Sequence, residues 1–166
     1  KMEIKLIIGP NSSGKSLYAE NIAAKHSSSP VYIATMVPYT EENHKRIEKH
    51  IKQREDKNFT VFEVPFDVCD TYVGKEDIVL LEDVSNLLAN GIFTQSKTAD
   101  DALHDIIKLA EKCRMLVAVN ISGLSAEGYD GETAQYIDGI NYLNKKLSEI
   151  ANEVVKMENS VPVKIK

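Results

Sequence analysis

Cysteine is scarce, long apolar runs are missing, and no block of basic residues stands without acids beside it. The two cysteines, Cys69 and Cys113, do not form a metal-ligand spacing and read as free, reduced thiols of a cytoplasmic protein. No apolar stretch approaches the roughly 20 residues that cross a bilayer, so no membrane span is expected. The formal net charge is −5, and the lysines are interleaved with acids. That balance argues against a sequence-independent nucleic-acid binder. Neither an internal repeat nor a low-complexity tract is present. The short apolar run near the start leads into a glycine-bounded loop rather than a cleavage site, so no secretory leader is expected. Lys1, ahead of Met2, reads as a leftover residue. What remains is 166 residues, 43 % hydrophobic and 27 % charged, enough for one domain over 1–166 with a core of its own.

The most informative stretch is Gly9-Pro10-Asn11-Ser12-Ser13-Gly14-Lys15-Ser16. Ile4-Lys5-Leu6-Ile7-Ile8 before it is apolar and β-branched, the pattern of a buried strand. Leu17 to Lys25 after it is rich in helix formers, with apolar residues at Leu17, Ile22 and Ala24. A strand, a glycine-bounded loop and a helix in that order turn backbone N–H groups toward a phosphate at the positive end of the helix. Gly9, Asn11, Ser12, Ser13, Gly14, Lys15, Ser16 and Leu17 are therefore the expected cradle of a nucleoside triphosphate. Lys15 can reach the β- and γ-phosphates, and the Ser16 hydroxyl can take a place on Mg²⁺. Chance supplies such a spacing fewer than about once per hundred chains of this length.

Further strands are expected at 31–34, 59–64, 78–81 and 115–119, and helices at 41–56, 99–112 and 132–151. Two short strands around 153–157 and 161–165, linked by Asn159-Ser160, suggest a terminal hairpin. The alternation predicts an α/β P-loop NTPase fold: a mostly parallel central sheet, helices on both faces and a C-terminal hairpin. Ligands then bind at the carboxyl ends of the strands.

A P-loop enzyme needs a carboxylate at the end of a neighbouring strand for its Mg²⁺ shell, and Leu80-Leu81-Glu82-Asp83 offers two. Arginine is scarce: Arg46, Arg54 and Arg114 are the whole supply. The arginine-rich lid of adenylate- or shikimate-type kinases is therefore missing. Arg46, His50 and Arg54 follow at i, i+4 and i+8, one ridge of a charged helix. A histidine between two cations is disfavoured as imidazolium, and a neutral imidazole can attack phosphorus while guanidiniums neutralise the departing phosphates. The same spacing also suits a solvated helix face, since Lys45, Glu48, Lys49, Lys52 and Glu55 surround it. Spacing alone leaves both readings open, with the solvated face favoured. His26, His44 and His104 stand in no comparable constellation.

The segment Arg46-Ile47-Glu48-Lys49-His50-Ile51-Lys52-Gln53-Arg54 resembles the R-I-x-x-H-x-x-x-R signature of the adenosylcobinamide kinase / adenosylcobinamide-phosphate guanylyltransferase family. Ala19-Glu20 after the loop, Val31 to Thr35, Leu80-Leu81-Glu82 followed by Asn90, Asn144 to Leu147 with Asn152 to Val154, and Val163 to Lys166 resemble the family in the same order. The resemblance spans nearly the whole chain. It implies a bifunctional enzyme of cobalamin nucleotide-loop assembly. A nucleoside triphosphate, ATP or GTP, first phosphorylates adenosylcobinamide. GTP then guanylylates a histidine, and the GMP passes to the phosphorylated corrinoid. Carried over by position, His50 is the nucleophile, with Arg46 and Arg54 steadying its phosphates. Lys15 and Ser16 bind triphosphate and Mg²⁺, and Glu82 completes the metal site. The resemblance also implies a homo-oligomer, a trimer in which the charged helix completes a cleft with a neighbour.

The chain departs from the family pattern at three places. Asn120-Ile121-Ser122-Gly123-Leu124 replaces an N-E-V-G stretch and lacks its glutamate. Arginines that normally precede the last long helix are absent, with Ala134 and Ile137 near those positions. Asp83 to Leu87 replaces a Cys/Thr/Trp segment. Two other expectations compete: a P-loop kinase of a different small alcohol without a covalent step, and a degenerate GTP-binding regulatory protein.

Overall fold

The computed structural model describes residues 2–166; Lys1, read above as a leftover residue, lies outside them. Apolar, β-branched runs form seven strands of one sheet: β1 (Ile4–Gly9), β2 (Val31–Ala34), β3 (Thr60–Glu63), β4 (Ile78–Glu82), β5 (Met115–Ile121), β6 (Glu153–Glu158) and β7 (Val161–Lys164). Their order is β3-β2-β4-β5-β1-β6-β7. Every pairing is parallel except β6 with β7, the expected terminal hairpin. Asn159 and Ser160 turn that hairpin with φ of 48° and 65°, the left-handed pair that a tight hairpin requires.

Five helices cover the sheet: α1 (Lys15–His26), α2 (Glu41–Arg54), α3 (Val84–Gln95), α4 (Ala99–Lys112) and α5 (Gly131–Ile150). Alternate strand residues face opposite sides. Leu6, Val79, Leu81 and Leu116 pack with α3, α4 and α5, whereas Ile7, Ile78, Leu80 and Val117 pack with Ala19 and Ala23 of α1. The continuous apolar run of β4 is thus buried on both faces, as a central parallel strand requires.

Three features differ from expectation. On α1 the buried residues are Ala19, Glu20 and Ala23, while Leu17 is 44 % exposed. Small side chains four apart let the helix lie close to the sheet, and the larger Ile22 is pushed to the margin of that core. Helix α3 occupies a stretch for which no helix was expected. Asp83 caps it by accepting from Asn86 N at 2.8 Å. Its Val84, Leu87, Leu88 and Ile92 are buried at helical spacing. Finally, β4 does not neighbour β1, because β5 lies between them. Val119 of β5 pairs with both Ile7 and Glu82, so Glu82 stands level with Ile7, two residues before the end of β1, and two strand spacings away.

Candidate active site

The phosphate loop leaves β1 through a cramped corner. A Cβ on Gly9 would lie 2.6 Å from Ser13 Oγ and 2.9 Å from the Met157 carbonyl, so no larger residue fits. Gly14 takes φ of 87° at the start of α1, where a side chain would also meet Ser160. The Ser160 N–H donates to the Ser13 carbonyl at 3.0 Å, so the C-terminal hairpin braces the loop from behind. Gly14 supplies no side-chain cap to α1, which leaves the first-turn N–H groups free for an anion. Asn11 and Ser12 are exposed, and the buried Ser13 hydroxyl has no protein partner. Lys15 Nζ donates to the loop's own Pro10 carbonyl at 3.1 Å. Burial lowers the pKa of Lys15, opposed by the Asp83 and Glu82 carboxylates.

At the ends of β2 and β4 a cleft of about 370 Å³ opens under α2, lined by Tyr32, Ala34 and Met36, by Arg46, Ile47, His50, Ile51 and Arg54, and by Glu82, Asp83 and Asn86, with Val61 and Glu63 at its β3 side. All three members of the basic ridge therefore face the strand-end acids. The ridge thus lines a cleft, although Arg46 itself remains exposed. Arg114 stands at the other end of the sheet, its N–H bonded to the Asp77 carbonyl.

His50 is half-buried, with Nδ1 3.4 Å from the Tyr32 hydroxyl. Tyr32 is 1 % exposed, and its ring carries the Arg54 guanidinium 4.1 Å from its centroid, a cation–π contact. Burial, with help from Glu82, raises the Tyr32 pKa far out of reach, so the phenol stays protonated. Burial first, then the Arg46 guanidinium, holds His50 below the ordinary imidazole range, with Asp83 pulling the other way. The imidazole is neutral at physiological pH.

The two acids at the end of β4 have different surroundings. Asp83 Oδ1 is engaged by the Asn86 N–H and by the Ser85 hydroxyl at 3.0 Å. Glu82 is buried, and its Oε1 has no hydrogen-bond partner. Burial and the adjacent Asp83 push its carboxyl up to about 8, while Ser16 and Lys15 act to lower it. An orphaned buried carboxyl facing a serine hydroxyl and the phosphate loop is the donor set expected of a hard divalent cation shared with phosphate oxygens. Among the described residues no three His, Cys, Asp or Glu side chains converge as a cage. That suits Mg²⁺, which takes one or two protein ligands beside substrate phosphates.

Several residues that hold the site together were given no role from the sequence, although Thr35, Asn90 and Gln53 lie in the segments that resemble the family. Thr35, fully buried, accepts from the Asp83 N–H at 2.9 Å and lies 2.8 Å from the Asp83 carbonyl. It thereby pins the turn that presents both acids. Asn90 on α3 donates to the carbonyls of Thr35 at 2.9 Å and Pro65 at 3.0 Å, tying α3 to β2 and to the chain beyond β3. Gln53 on α2 donates to Glu20 Oε2 at 2.8 Å and to Ser16 Oγ at 3.3 Å. Only the polarity of these residues at strand and helix ends could have marked them.

Comparison with known proteins agrees with the family resemblance. The family model described as cobinamide kinase / cobinamide phosphate guanyltransferase matches residues 5–165. No curated protein matches the chain. A solved structure, "The Structure Of A DnaB-Like Replicative Helicase And Its Interactions With Primase", superposes with a TM-score of 0.48 at 12 % identity, over 93 % of this chain and 46 % of that one. The chain thus spans about half the length of that helicase chain. No helix among the described residues is long and apolar enough to cross a membrane.

Proposed function

This chain belongs to the cobinamide kinase / cobinamide phosphate guanyltransferase family, and from that premise we propose that it catalyses both transfers, the second through a GMP–histidine intermediate on His50. It is a transferase of phosphorus-containing groups, placed by its family in cobalamin biosynthesis. The observation that carries the covalent step is His50 itself, held neutral by burial and Arg46 in a cleft whose floor carries Glu82 and Asp83.

In the kinase step the phosphate-loop N–H groups and Lys15 hold the β- and γ-phosphates. The cobinamide hydroxyl oxygen forms a bond to the γ-phosphorus and gives up its proton to solvent water. The bond from that phosphorus to the bridging oxygen breaks, and a nucleoside diphosphate leaves. Ser16 and Glu82 would hold Mg²⁺, which supplies Lewis-acid neutralisation of phosphate charge when bound. The guanylyl step uses the tautomer of His50 whose proton sits on Nδ1, where the Tyr32 oxygen 3.4 Å away can accept it and the Nε2 lone pair is free. Nε2 attacks the α-phosphorus of GTP, a P–N bond forms, and pyrophosphate leaves against Arg46 and Arg54. A phosphate oxygen of cobinamide phosphate then attacks the same phosphorus. The P–N bond breaks, and the imidazole returns to its neutral state.

The resemblance carries a trimeric assembly and a cytoplasmic setting into this proposal. The deciding test is intact-protein mass spectrometry after incubation with GTP and Mg²⁺. Wild type is expected to gain a GMP-sized, acid-labile adduct that His50→Ala does not form. Corrinoid phosphorylation without any adduct, lost in Lys15→Ala but kept in His50→Ala, would replace this reading with a kinase lacking a covalent step.

A further inference from the structure

Helix α2 carries the proposed nucleophile, yet none of its 14 residues is buried, and its N-cap, Thr40, bonds within the helix's own first turn, to Asn43 and His44. Its position must come from its other end. There Gln53 lies three residues after His50, and Lys57 four further on. Lys57 Nζ donates to the Gln53 carbonyl at 2.8 Å and pairs with Glu20 Oε1 at 3.3 Å. Gln53 Nε2 donates to Glu20 Oε2 and to Ser16 Oγ, and the Ser16 hydroxyl donates to Glu20 Oε2 at 3.4 Å. Glu20 is fully buried, and the Lys57 side chain is 15 % exposed. A buried carboxylate is tolerated only when its oxygens are filled, and here, beside the Ser16 hydroxyl of its own helix, the partners that fill them are Gln53 of α2 and Lys57 just past it.

We propose that Gln53 and Lys57 are positioning residues which, through Glu20, latch the His50 end of α2 to the first turn of the phosphate-loop helix. The inference rests on the reading of His50 as nucleophile. The latch meets the phosphate site at one atom. Ser16 Oγ gives its proton to Glu20 and accepts from Gln53, which leaves one lone pair uncommitted. The hydroxyl can therefore serve the metal shell without releasing α2. Loop and helix are registered to each other by the residue that binds the nucleotide's cation.

The test compares Gln53→Met, Lys57→Met and Lys57→Arg with wild type in three measurements. These are the first-order rate of His50 guanylylation at saturating GTP, the equilibrium affinity for a fluorescent GTP analogue, and amide hydrogen exchange across 44–54. Losing a hydrogen bond to a buried carboxylate is expected to slow guanylylation about tenfold or more in both methionine variants, with nucleotide affinity held within about threefold. Exchange in α2 should quicken by at least about tenfold, since its ties to the buried Glu20 are cut. Lys57→Arg, which keeps the pair, should restore both. Wild-type rates and wild-type exchange in the methionine variants would overturn the latch. So would a loss of affinity in step with the loss of rate, because the network would then serve the loop alone. If wild type itself takes up no GMP, the covalent reading fails, while the exchange comparison still decides the latch.

Discussion

His50 can act as a nucleophile only while its imidazole is neutral, and its surroundings set the pH at which that ends. Burial first and Arg46 second keep its pKa under the ordinary value of 6.5. The unfolded chain therefore takes up the proton before the folded one does, and this residue's stability contribution is lost as pH falls below that unfolded value. The rate of guanylylation should stay level through neutrality and fall in acid with a midpoint below 6.5. Arg46→Ala should move the midpoint upward and lower the plateau by about tenfold, the loss of one charge-assisted contact. A wild-type midpoint at or above the ordinary value would contradict the assigned environment.

Glu82 titrates in the opposite sense. Its folded pKa, about 8, lies above the ordinary 4.5, so between those values the folded chain holds the extra proton. Its effect on stability therefore becomes less favourable as pH rises through that window. A cation bound there must displace the proton. Calorimetric titration of Mg²⁺ into the nucleotide complex should show proton release at neutral pH and an affinity that climbs toward about pH 8. The slope should approach about tenfold per pH unit, and Glu82→Gln should flatten it. Equal slopes in both proteins would remove Glu82 from the metal shell.

At the scale of elements, the acids depend on the turn between β4 and α3. Thr35→Val keeps the shape of the side chain but leaves the Asp83 N–H without its partner. An unmet buried donor costs about 1–3 kcal/mol, so thermal melting should show that loss. The guanylylation rate should fall further than global stability explains, because both acids ride on that turn. Retention of wild-type rate would make Thr35 a purely structural tie. Legibility in the sequence follows the same division between local and distant causes. The phosphate loop was readable because its glycines, lysine and serine act within eight residues. β4 was readable because burial on both faces leaves an unbroken apolar run. Helix α3 carried a legible cap in Asp83 and helical spacing from Val84 to Ile92, but a strand-end acid followed by polar residues reads equally well as a loop. The roles of Thr35, Asn90, Gln53 and Lys57 were not legible, since the partners that tie them into the site lie 25 to 55 residues away.

Strand order is the property of the whole molecule that no local pattern carries. Alternating strands and helices imply a parallel sheet, but not that β5 enters between the phosphate-loop strand and the acid strand. Nor do they imply that the terminal hairpin lies against β1 on the other side. Both placements serve the site. The first sets Glu82 level with Ile7 of β1, two residues before the phosphate loop begins, and the second puts the β6–β7 turn behind the loop, where Ser160 N–H holds the Ser13 carbonyl. β6 of the hairpin is buried at Val154, Val155 and Met157, but every residue of β7 is exposed, so the turn contributes to the site more than β7 contributes to the core. Removing 159–166 should therefore weaken nucleotide binding by about tenfold or more, because the loop loses the bond that fixes its curvature. Ser160→Ala, which keeps the backbone N–H, should bind nucleotide as wild type does. A fluorescent-nucleotide titration at matched folded fraction distinguishes the two outcomes. If the truncated chain binds normally, the phosphate loop holds its shape from Gly9, Gly14 and α1 alone.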